Sequence, residues 1–293
     1  MQLSLQIPSF SWSGAPGSIG ATLTDIVQTA DEVGFASIWV MDHFFQIRGV
    51  GDPEEPMLES YSALNFIAAH TRRARLGTLV SAAVYRHPGV LVKIVSTLDV
   101  LSGGRAYLGI GAGWNEPEAV GLGIPFPPLK ERFERLEETL QIALHMWSGD
   151  LEPYQGKYYH LAHPLNSPQP ISQPHPPILI GGGGEKKTLR MVAQYADACN
   201  LFVRYGEDTL RGKLDVLKRH CERLGRPYEA IEKTALDTVH LAPGQMTPSQ
   251  VIENCKMLSR LGFQHVIVNM PNVSEIHPLE VLGREVIPEI ATL

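Results

Sequence analysis

Residues 178–197 read ILIGGGGEKKTLRMVAQYAD, and they carry a strand, a turn and the start of a helix in one stretch. An apolar run of strand length meets four consecutive glycines, Gly181–Gly184, and a helical pattern follows. Glycine loses more backbone freedom on folding than any other residue, so four in a row are costly to order. The stretch therefore predicts a strand–turn–helix unit whose bare turn has a specific purpose.

The same unit recurs along the whole chain. Eight apolar runs show little alternation between apolar and polar residues, which is typical of strands buried on both faces. They are Leu3–Pro8, Ser37–Met41, Arg75–Val80, Ala106–Gly111, Pro177–Ile180, Ala198–Phe202, Lys233–His240 and His265–Met270. Between them, apolar residues recur at the i, i+3, i+4 spacing of amphipathic helices.

Eight strands that each precede a helix predict an α/β fold, the (β/α)8 TIM barrel, as one domain over residues 1–293. A doubly wound parallel sheet is the alternative. Residues 149–176 are rich in proline and read as an insertion loop before the fifth strand, because barrel repeats continue on both sides. Long ordered loops are often functional, so we expect a role for this insertion.

The composition of the chain argues against several classes of protein. The chain has 293 residues, is 44% hydrophobic and 19% charged, and carries a formal net charge of −6, which argues against a general nucleic-acid surface. We expect no membrane span and no signal peptide, because no apolar run is long enough and the N-terminus lacks a basic lead. Cys199, Cys221 and Cys255 form no CxxC pair. A cytoplasmic protein is therefore expected.

Candidate functional residues lie where the predicted strands end, since barrel chemistry gathers at the C-terminal ends of strands. Asp42 and His43 are the most polar pair there, and a histidine can exchange a proton near neutral pH. The alternative is a capping aspartate beside a surface histidine. Trp114 either walls a substrate pocket or plugs the barrel mouth. We interpret His43, Asp42 and Trp114 as candidate catalytic residues.

Small residues dominate the ends of the fourth and fifth strands, at Gly111–Gly113 and Gly181–Gly184. They would let a large flat molecule approach the backbone. Glycines before a helix N-terminus also present N–H groups and a positive dipole end to an anion, and Lys186 and Lys187 follow. The sequence fits neither a Walker loop nor GxGxxG, and a tight turn with positive φ is the alternative.

Three stretches together resemble the bacterial luciferase-like oxidoreductases, and more narrowly the branch that uses the deazaflavin coenzyme F420. They are SIWVMDHF (residues 37–44), RLGTLVSAAVYRHPGVLVKIVSTLDVLSGGRAYLGIGAGW (75–114) and PPLKERFERLEETLQIALHMWSG (127–149). The resemblance implies a luciferase-like TIM barrel, a cytoplasmic redox enzyme acting on a small-molecule substrate, and a homodimer.

The resemblance also assigns cofactor-binding positions. Asp42 and His43 match residues that contact the ring, and Leu79–Val80 matches a non-prolyl cis peptide bond behind it, with Ser81 adjacent. Gly111, Ala112 and Gly113 match the loop beside the ring, whereas Gly181, Gly182, Gly183 and Gly184 match the region that receives the cofactor phosphate.

Two positions depart from the family pattern. The branch that oxidises glucose 6-phosphate has a tryptophan and a glutamate beside the histidine, where this chain has Ile47 and Trp114. That activity is therefore not expected here. The last strand also lacks the arginine expected near an anionic cofactor tail.

Several functions stay open at this point. The first is hydride transfer between C5 of F420 and a small organic substrate, with the substrate between Trp114 and the insertion. The second is an FMN-dependent two-component monooxygenase. A metal-dependent hydrolase would need converging ligands, of which the strand ends offer Asp42, His43 and His240 without an HxH pair; we predict no metal site. A barrel that only stores cofactor is the fourth.

Overall fold

The predicted strands form the wall of a parallel β-barrel. The computed structural model describes residues 1–293. Its strands are β1 Gln2–Ile7, β2 Ser37–Val40, β3 Arg75–Thr78, β4 Ser81–Ala82, β5 Leu108–Gly111, β6 Tyr154–Gln155, β7 His160–Leu161, β8 Ile178–Gly181, β9 Ala198–Phe202, β10 Glu232–Thr238 and β11 His265–Asn269. Nine of them form one sheet in the order β3-β2-β1-β11-β10-β9-β8-β5-β4.

The two ends of this sheet meet, so the barrel is nearly closed. Leu76 of β3 forms a parallel bridge with Ala106, just before β5. Neighbouring strands are parallel throughout, as the pairing of Gln6 with both Trp39 and Asn269 illustrates. The predicted barrel is confirmed.

The third predicted strand is interrupted, which is why nine strands replace the expected eight. Arg75–Val80 was predicted as one run, but the strand ends at Thr78 and a second short strand begins at Ser81. The peptide bond between them, Leu79–Val80, is cis and non-prolyl, as the family resemblance implied. The chain therefore bulges at the C-terminal end of β3.

Helices follow the strands and cover the barrel. They are α1 Ile19–Val33, α2 Ser60–His70, α3 Pro88–Ser102, α4 Glu116–Gly121, α5 Leu129–Trp147, α6 Thr188–Tyr195, α7 Glu207–Leu224, α8 Pro248–Leu261, α9 His277–Val281 and α10 Ile287–Ile290. A π-helical turn, Leu282–Val286, links the last two. None of these helices combines the length and apolarity that a bilayer crossing requires.

The barrel interior is filled by a small apolar cluster that forms a floor. Trp39, Tyr107, Leu179, Ala198 and Ile267 are buried together, and Leu79, Val80 and Leu236 pack on them from above. Because the lower barrel is filled, any large site must lie above this floor.

The proline-rich insertion packs on the outside of the barrel. Tyr159 N donates to Glu138 of α5 at 3.0 Å, and Ser172 N donates to Asp99 of α3 at 2.8 Å. Residues 149–176 contribute none of the side chains that line the large cavity described below. The expectation that a substrate lies against this insertion was therefore wrong; the insertion straps α3 to α5 instead.

Candidate active site

A cavity of about 580 Å³ opens above the barrel floor, at the C-terminal ends of the strands. This volume is in the range of small-molecule sites. Most residues selected from the sequence line it: Asp42, His43, Leu79, Val80, Ser81, Gly111, Ala112, Gly113, Trp114, Gly181 and Gly182. Gly183 and Gly184 do not. The structure thus brings together residues from four separate segments of the chain.

His43 is held from below by a carboxylate that the sequence reasoning missed. Its Nδ1 lies 2.5 Å from Oε1 of Glu118, whose side chain is fully buried. The other carboxylate oxygen accepts the backbone N–H groups of Phe44 at 2.7 Å and Phe45 at 3.2 Å. The Tyr85 hydroxyl also donates to Glu118. Glu118 therefore accepts four hydrogen bonds.

These hydrogen bonds decide the charge of Glu118. Burial alone would raise the pKa of this carboxyl group, but the hydrogen bonds from His43 and Tyr85 lower it below its ordinary value. An ionised carboxylate only accepts, so the proton of neutral His43 sits on Nδ1. Nε2 makes no hydrogen bond within the protein, and the ring lines the cavity. In its neutral form, His43 thus presents a free acceptor nitrogen to the cavity.

Asp42 does not pair with His43. Its carboxylate accepts two hydrogen bonds from the Arg86 guanidinium, at 2.6 and 3.0 Å, and one from the Ser60 hydroxyl at 2.6 Å. Arg86 also binds Glu59, the N-cap residue of α2. The geometry therefore favours Asp42 as a structural anchor between β2, α2 and the segment before α3, although the residue also borders the cavity.

Trp114 forms an exposed wall beside His43. The two ring centroids are 5.4 Å apart, with the planes at 71°, and 62% of the Trp114 surface is exposed. An exposed tryptophan leaves a large apolar area in water, which is unfavourable unless something covers it. Of the two readings, a pocket wall fits this placement and a plug does not.

The glycines at the strand ends leave space for neighbouring side chains of the same protein. A Cβ atom on Gly181 would lie 2.9 Å from Cγ2 of Val80, and one on Gly111 would lie 3.1 Å from the same atom. Gly113 has φ +79°, and its Cβ would lie 3.0 Å from Ala82. Gly111 and Gly181 accommodate the bulge at Leu79–Val80, and Gly113 accommodates Ala82 of β4. Packing within the chain thus accounts for the missing side chains, and the approach of a flat ligand to these glycines stays a prediction.

The rest of the glycine run forms an N–H-rich turn. Gly182 has φ +111° and donates to Asn200 O at 3.4 Å. The next backbone N–H with a partner inside the protein is that of Leu189, which donates to Gly184 O at 2.9 Å. The N–H groups of residues 183–188 are therefore free at the start of α6, where Thr188 and Gly182 border the cavity.

Other polar groups reach the cavity from the opposite strands. Asn200 Nδ2 donates to Thr234 Oγ1 at 2.8 Å, whereas Oδ1 of Asn269 is buried without a partner. Arg204, just after β9, also lines the cavity and lies over the Phe202 ring at 4.4 Å. Arg204 therefore places a guanidinium group at the cavity just after β9, whereas the last strand, β11, has no arginine.

The sequence did not predict Glu118, Tyr85 and Arg86 as site residues, because all three lie beyond the strand ends. Glu118 follows Trp114 by four residues, on the short helix α4. The one available signal was an acidic residue shortly after the tryptophan at the end of a strand. The local sequence does not show that this residue pairs with a histidine 75 residues away. No group of three or more His, Cys, Asp or Glu side chains is arranged to hold a metal ion.

Comparison with known proteins adds relatives to this geometry. The model of the luciferase-like monooxygenase family matches residues 1–268. An F420-dependent glucose-6-phosphate dehydrogenase from Kineococcus radiotolerans is 30% identical, over 92% of this chain and 79% of its own length.

Two solved structures share the fold. An F420-dependent secondary alcohol dehydrogenase, in complex with an F420–acetone adduct, superposes with a TM-score of 0.82 at 16% identity, covering 99% of this chain and 98% of its own. The oxygenating constituent of 3,6-diketocamphane monooxygenase from Pseudomonas putida, in complex with FMN, gives 0.79 at 16% identity with the same coverage.

Proposed function

This chain belongs to the luciferase-like monooxygenase family, and from that premise we propose that it is a coenzyme F420-dependent oxidoreductase. It transfers a hydride between the deazaflavin and a small organic substrate. The choice of F420 over FMN rests on the F420-dependent relative that is 30% identical over 92% of the chain. The site geometry, a histidine backed by a buried carboxylate in a roomy cavity, supports the redox role.

The cavity residues suit a phosphorylated ring compound. The free N–H groups of residues 183–188 lie at a helix N-terminus, where an anion such as a phosphate is favoured. The unpaired Oδ1 of Asn269 offers an acceptor to a ring N–H, and a buried acceptor without a partner is costly. Arg204 lies on the same side of the mouth as the N–H-rich turn and would face an acidic tail.

His43 is the residue for proton transfer. When bound, the deazaflavin supplies a hydride acceptor or donor, and the protein has to position the substrate and handle its proton. Glu118 fixes the proton of the imidazole on Nδ1, so Nε2 takes the proton of a substrate hydroxyl or, once protonated, returns it to a carbonyl oxygen. The apolar floor, with Leu79, Val80 and Leu236 packed on it, excludes water from the lower side of the cavity.

Binding of each cofactor to the purified apoprotein tests this proposal. Titration with F420 and, separately, with FMN is followed by quenching of tryptophan fluorescence and by the absorbance of the cofactor. We expect micromolar affinity for F420 and weaker binding of FMN. Tight FMN binding without any response to F420 would overturn the assignment and favour the monooxygenase alternative.

Glucose 6-phosphate is not the substrate that we propose. The relative from Kineococcus acts on it by name, but the two positions that the resemblance singles out hold Ile47 and Trp114 here. The residue that follows Gly113 at the cavity wall is therefore an indole and not a carboxylic acid.

A further inference from the structure

Granting the proposed oxidoreductase function, we propose that Tyr85 is a positioning residue that sets how strongly His43 holds a proton. The Tyr85 hydroxyl and the His43 imidazole share one carboxylate oxygen of Glu118. The hydroxyl thereby draws part of the carboxylate charge away from His43, and Nε2 stays available as an acceptor down to lower pH.

The two side-chain donors end on the same atom. His43 Nδ1 lies 2.5 Å from Oε1 of Glu118, and the Tyr85 hydroxyl donates to that same Oε1. The other oxygen, Oε2, accepts the backbone N–H groups of Phe44 at 2.7 Å and Phe45 at 3.2 Å. Each donor draws electron density from the carboxylate, and two of them draw it from one oxygen. Loss of one of these two donors therefore strengthens the hydrogen bond of the other.

The Tyr85 hydroxyl is a fixed donor. The residue is buried between β4 and α3, and its ring packs against Phe44 with the ring centroids 5.3 Å apart. The next acceptor, the backbone oxygen of Asn115, is 3.5 Å away. Burial and the hydrogen bond to Glu118 raise the pKa of Tyr85 above its ordinary value of 10, so the hydroxyl keeps its proton. That single proton therefore goes to Glu118.

The other charged groups nearby do not replace this donor. Asp42 and Arg86 bind each other at 2.6 Å. Arg48 lines the same cavity from the loop after β2, where it is exposed and makes no ion pair. Tyr85 is thus the only side chain, apart from the imidazole itself, that donates to Glu118.

The shared oxygen bears on the proton step of the proposed function. Nε2 of His43 has to take a proton from a substrate hydroxyl and return it to a carbonyl oxygen. A nearby carboxylate that is not shared would favour the charged imidazolium and remove the free acceptor. The Tyr85 hydroxyl moderates this attraction, so the imidazole can both take up and release the proton.

Tyr85→Phe tests the inference by NMR on the protein alone, because it keeps the ring and removes the hydroxyl. In ¹⁵N-histidine-labelled protein, the Nδ1 proton of His43 is assigned by its absence in His43→Ala. It should move downfield in Tyr85→Phe, since a stronger hydrogen bond deshields the proton. 3-Fluorotyrosine at position 85 has a more acidic hydroxyl that donates more strongly, and it should move the same proton upfield.

Tyr195→Phe is the matched control. The Tyr195 hydroxyl also donates to a carboxylate, that of Glu137 at 3.2 Å, but neither residue lines the cavity. This variant should leave the Nδ1 proton of His43 where it is in the wild type. An Nδ1 proton that stays in place in Tyr85→Phe, or that moves upfield, would overturn the inference.

Diethyl pyrocarbonate gives a second test, because it acylates the unprotonated nitrogen of an imidazole. The rate of modification of His43 is followed by mass spectrometry as a function of pH, with exposed His160 as the internal reference. In Tyr85→Phe the midpoint of this profile should move about half a pH unit higher, which corresponds to a roughly threefold stronger hold on the proton. A midpoint equal to that of Tyr195→Phe would contradict the inference.

Binding of F420 is followed separately, by the absorbance of the cofactor. If F420 does not bind but Tyr85→Phe changes both readouts as expected, the proposed cofactor is wrong and the role of Tyr85 stands. If F420 binds and neither readout changes, the role of Tyr85 is wrong and the cofactor assignment stands.

Discussion

His43 reaches the cavity with a free Nε2 because Glu118 occupies Nδ1, on the other side of the ring. Replacement by alanine removes this acceptor, and a positioned acid or base is worth about 100-fold or more in rate. We therefore expect His43→Ala to lower kcat by ~100-fold or more while F420 still binds. His160→Ala, in an exposed part of the insertion, is the control. An unchanged kcat would remove His43 from the mechanism.

Glu118 acts through His43 as a positioning residue. In Glu118→Gln, the amide oxygen can satisfy Phe44 N and Phe45 N only if the amide NH₂ faces His43 Nδ1 and the Tyr85 hydroxyl. Nδ1 must then accept, so the ring proton moves to Nε2. We expect this tautomer change in the ¹⁵N spectrum of histidine-labelled protein, assigned by comparison with His43→Ala.

The same substitution should lower kcat by about tenfold or more, because Nε2 can no longer accept a proton. Glu116→Gln is the matched control, since Glu116 is exposed on the same short helix. A ¹⁵N spectrum in which Nδ1 keeps its proton in Glu118→Gln would show that the carboxylate does not set the tautomer.

The candidate site was only partly predictable at the residue scale. His43 and Trp114 were found because each follows a strand, and parallel strands of a barrel end at the same rim. The partner of His43 could not be found in this way, because the pairing with Glu118 depends on how two loops fold over that rim. Asp42 was adjacent in sequence, yet it turns to Arg86, since consecutive side chains of an extended segment point in opposite directions.

At the scale of elements, β8 and the bulge after β3 fit together only because Gly181 lacks a side chain. In Gly181→Ala the new Cβ would meet Val80 at 2.9 Å, and the backbone bulge would have to move. We expect lower thermal stability and weaker F420 binding. Gly212→Ala in α7 is the control, because nothing lies within 4 Å of its Cβ and alanine favours a helix by about 1 kcal/mol. Equal behaviour of the two variants would contradict this packing role.

Asp31 joins α1 to the connection between α2 and β3. Its carboxylate accepts the backbone N–H groups of Arg72, Arg73 and Ala74, at 2.9, 2.9 and 2.6 Å. Asn at this position turns one acceptor into a donor, so Asp31→Asn should lower the free energy of unfolding by about 1–3 kcal/mol. Urea denaturation measures it, with exposed Asp25→Asn as the control.

The contribution of Asp31 should also depend on pH. Burial alone would raise the pKa of this carboxyl group, but the three N–H donors and Arg73 lower it below the ordinary value of 3.8. Because its pKa is lower in the folded state, the ionised Asp31 carboxylate stabilises the protein fully above pH 3.8. This stabilisation is lost as the pH falls through the folded-state pKa. The difference between wild type and Asp31→Asn should therefore shrink in acid. A constant difference down to pH 2.5 would contradict the assignment.

The elements themselves were largely predictable. All eight predicted strands lie in the barrel wall, because strands buried on both faces must be continuous apolar runs. Pro88 begins α3 and Gly103 caps it, the positions at which proline and glycine are favoured in helices. The split of the third strand came only from the family resemblance, since Thr78, Leu79, Val80 and Ser81 read locally as an uninterrupted strand. The role of the insertion could not be predicted, because it depends on the helices that the insertion contacts. The proline content does not reveal these contacts.

At the scale of the whole molecule, the outer face of α2 and α3 remains apolar where a monomer would expose charge. Val90, Ile94, Thr97 and Leu101 form one stripe along α3, and Val90 and Leu101 are 55% and 69% exposed. Phe66 of α2, the neighbouring helix, is 37% exposed. Helices that are apolar on most sides are normally buried by other parts of the protein or by a partner chain. Together with the family resemblance, this face supports the homodimer expected from the sequence.

We therefore predict a homodimer that pairs through the α2–α3 face. Light scattering after gel filtration should give twice the chain mass of 32.3 kDa. A glutamate at Leu101 would place two like charges near each other across a two-fold interface, so Leu101→Glu should shift the protein towards monomer at micromolar concentration. Leu224→Glu at the end of α7 is the control, because Leu224 is 48% exposed outside this face. A wild-type monomer at these concentrations would contradict the dimer, whereas a Leu101→Glu dimer as tight as the control would place the interface elsewhere.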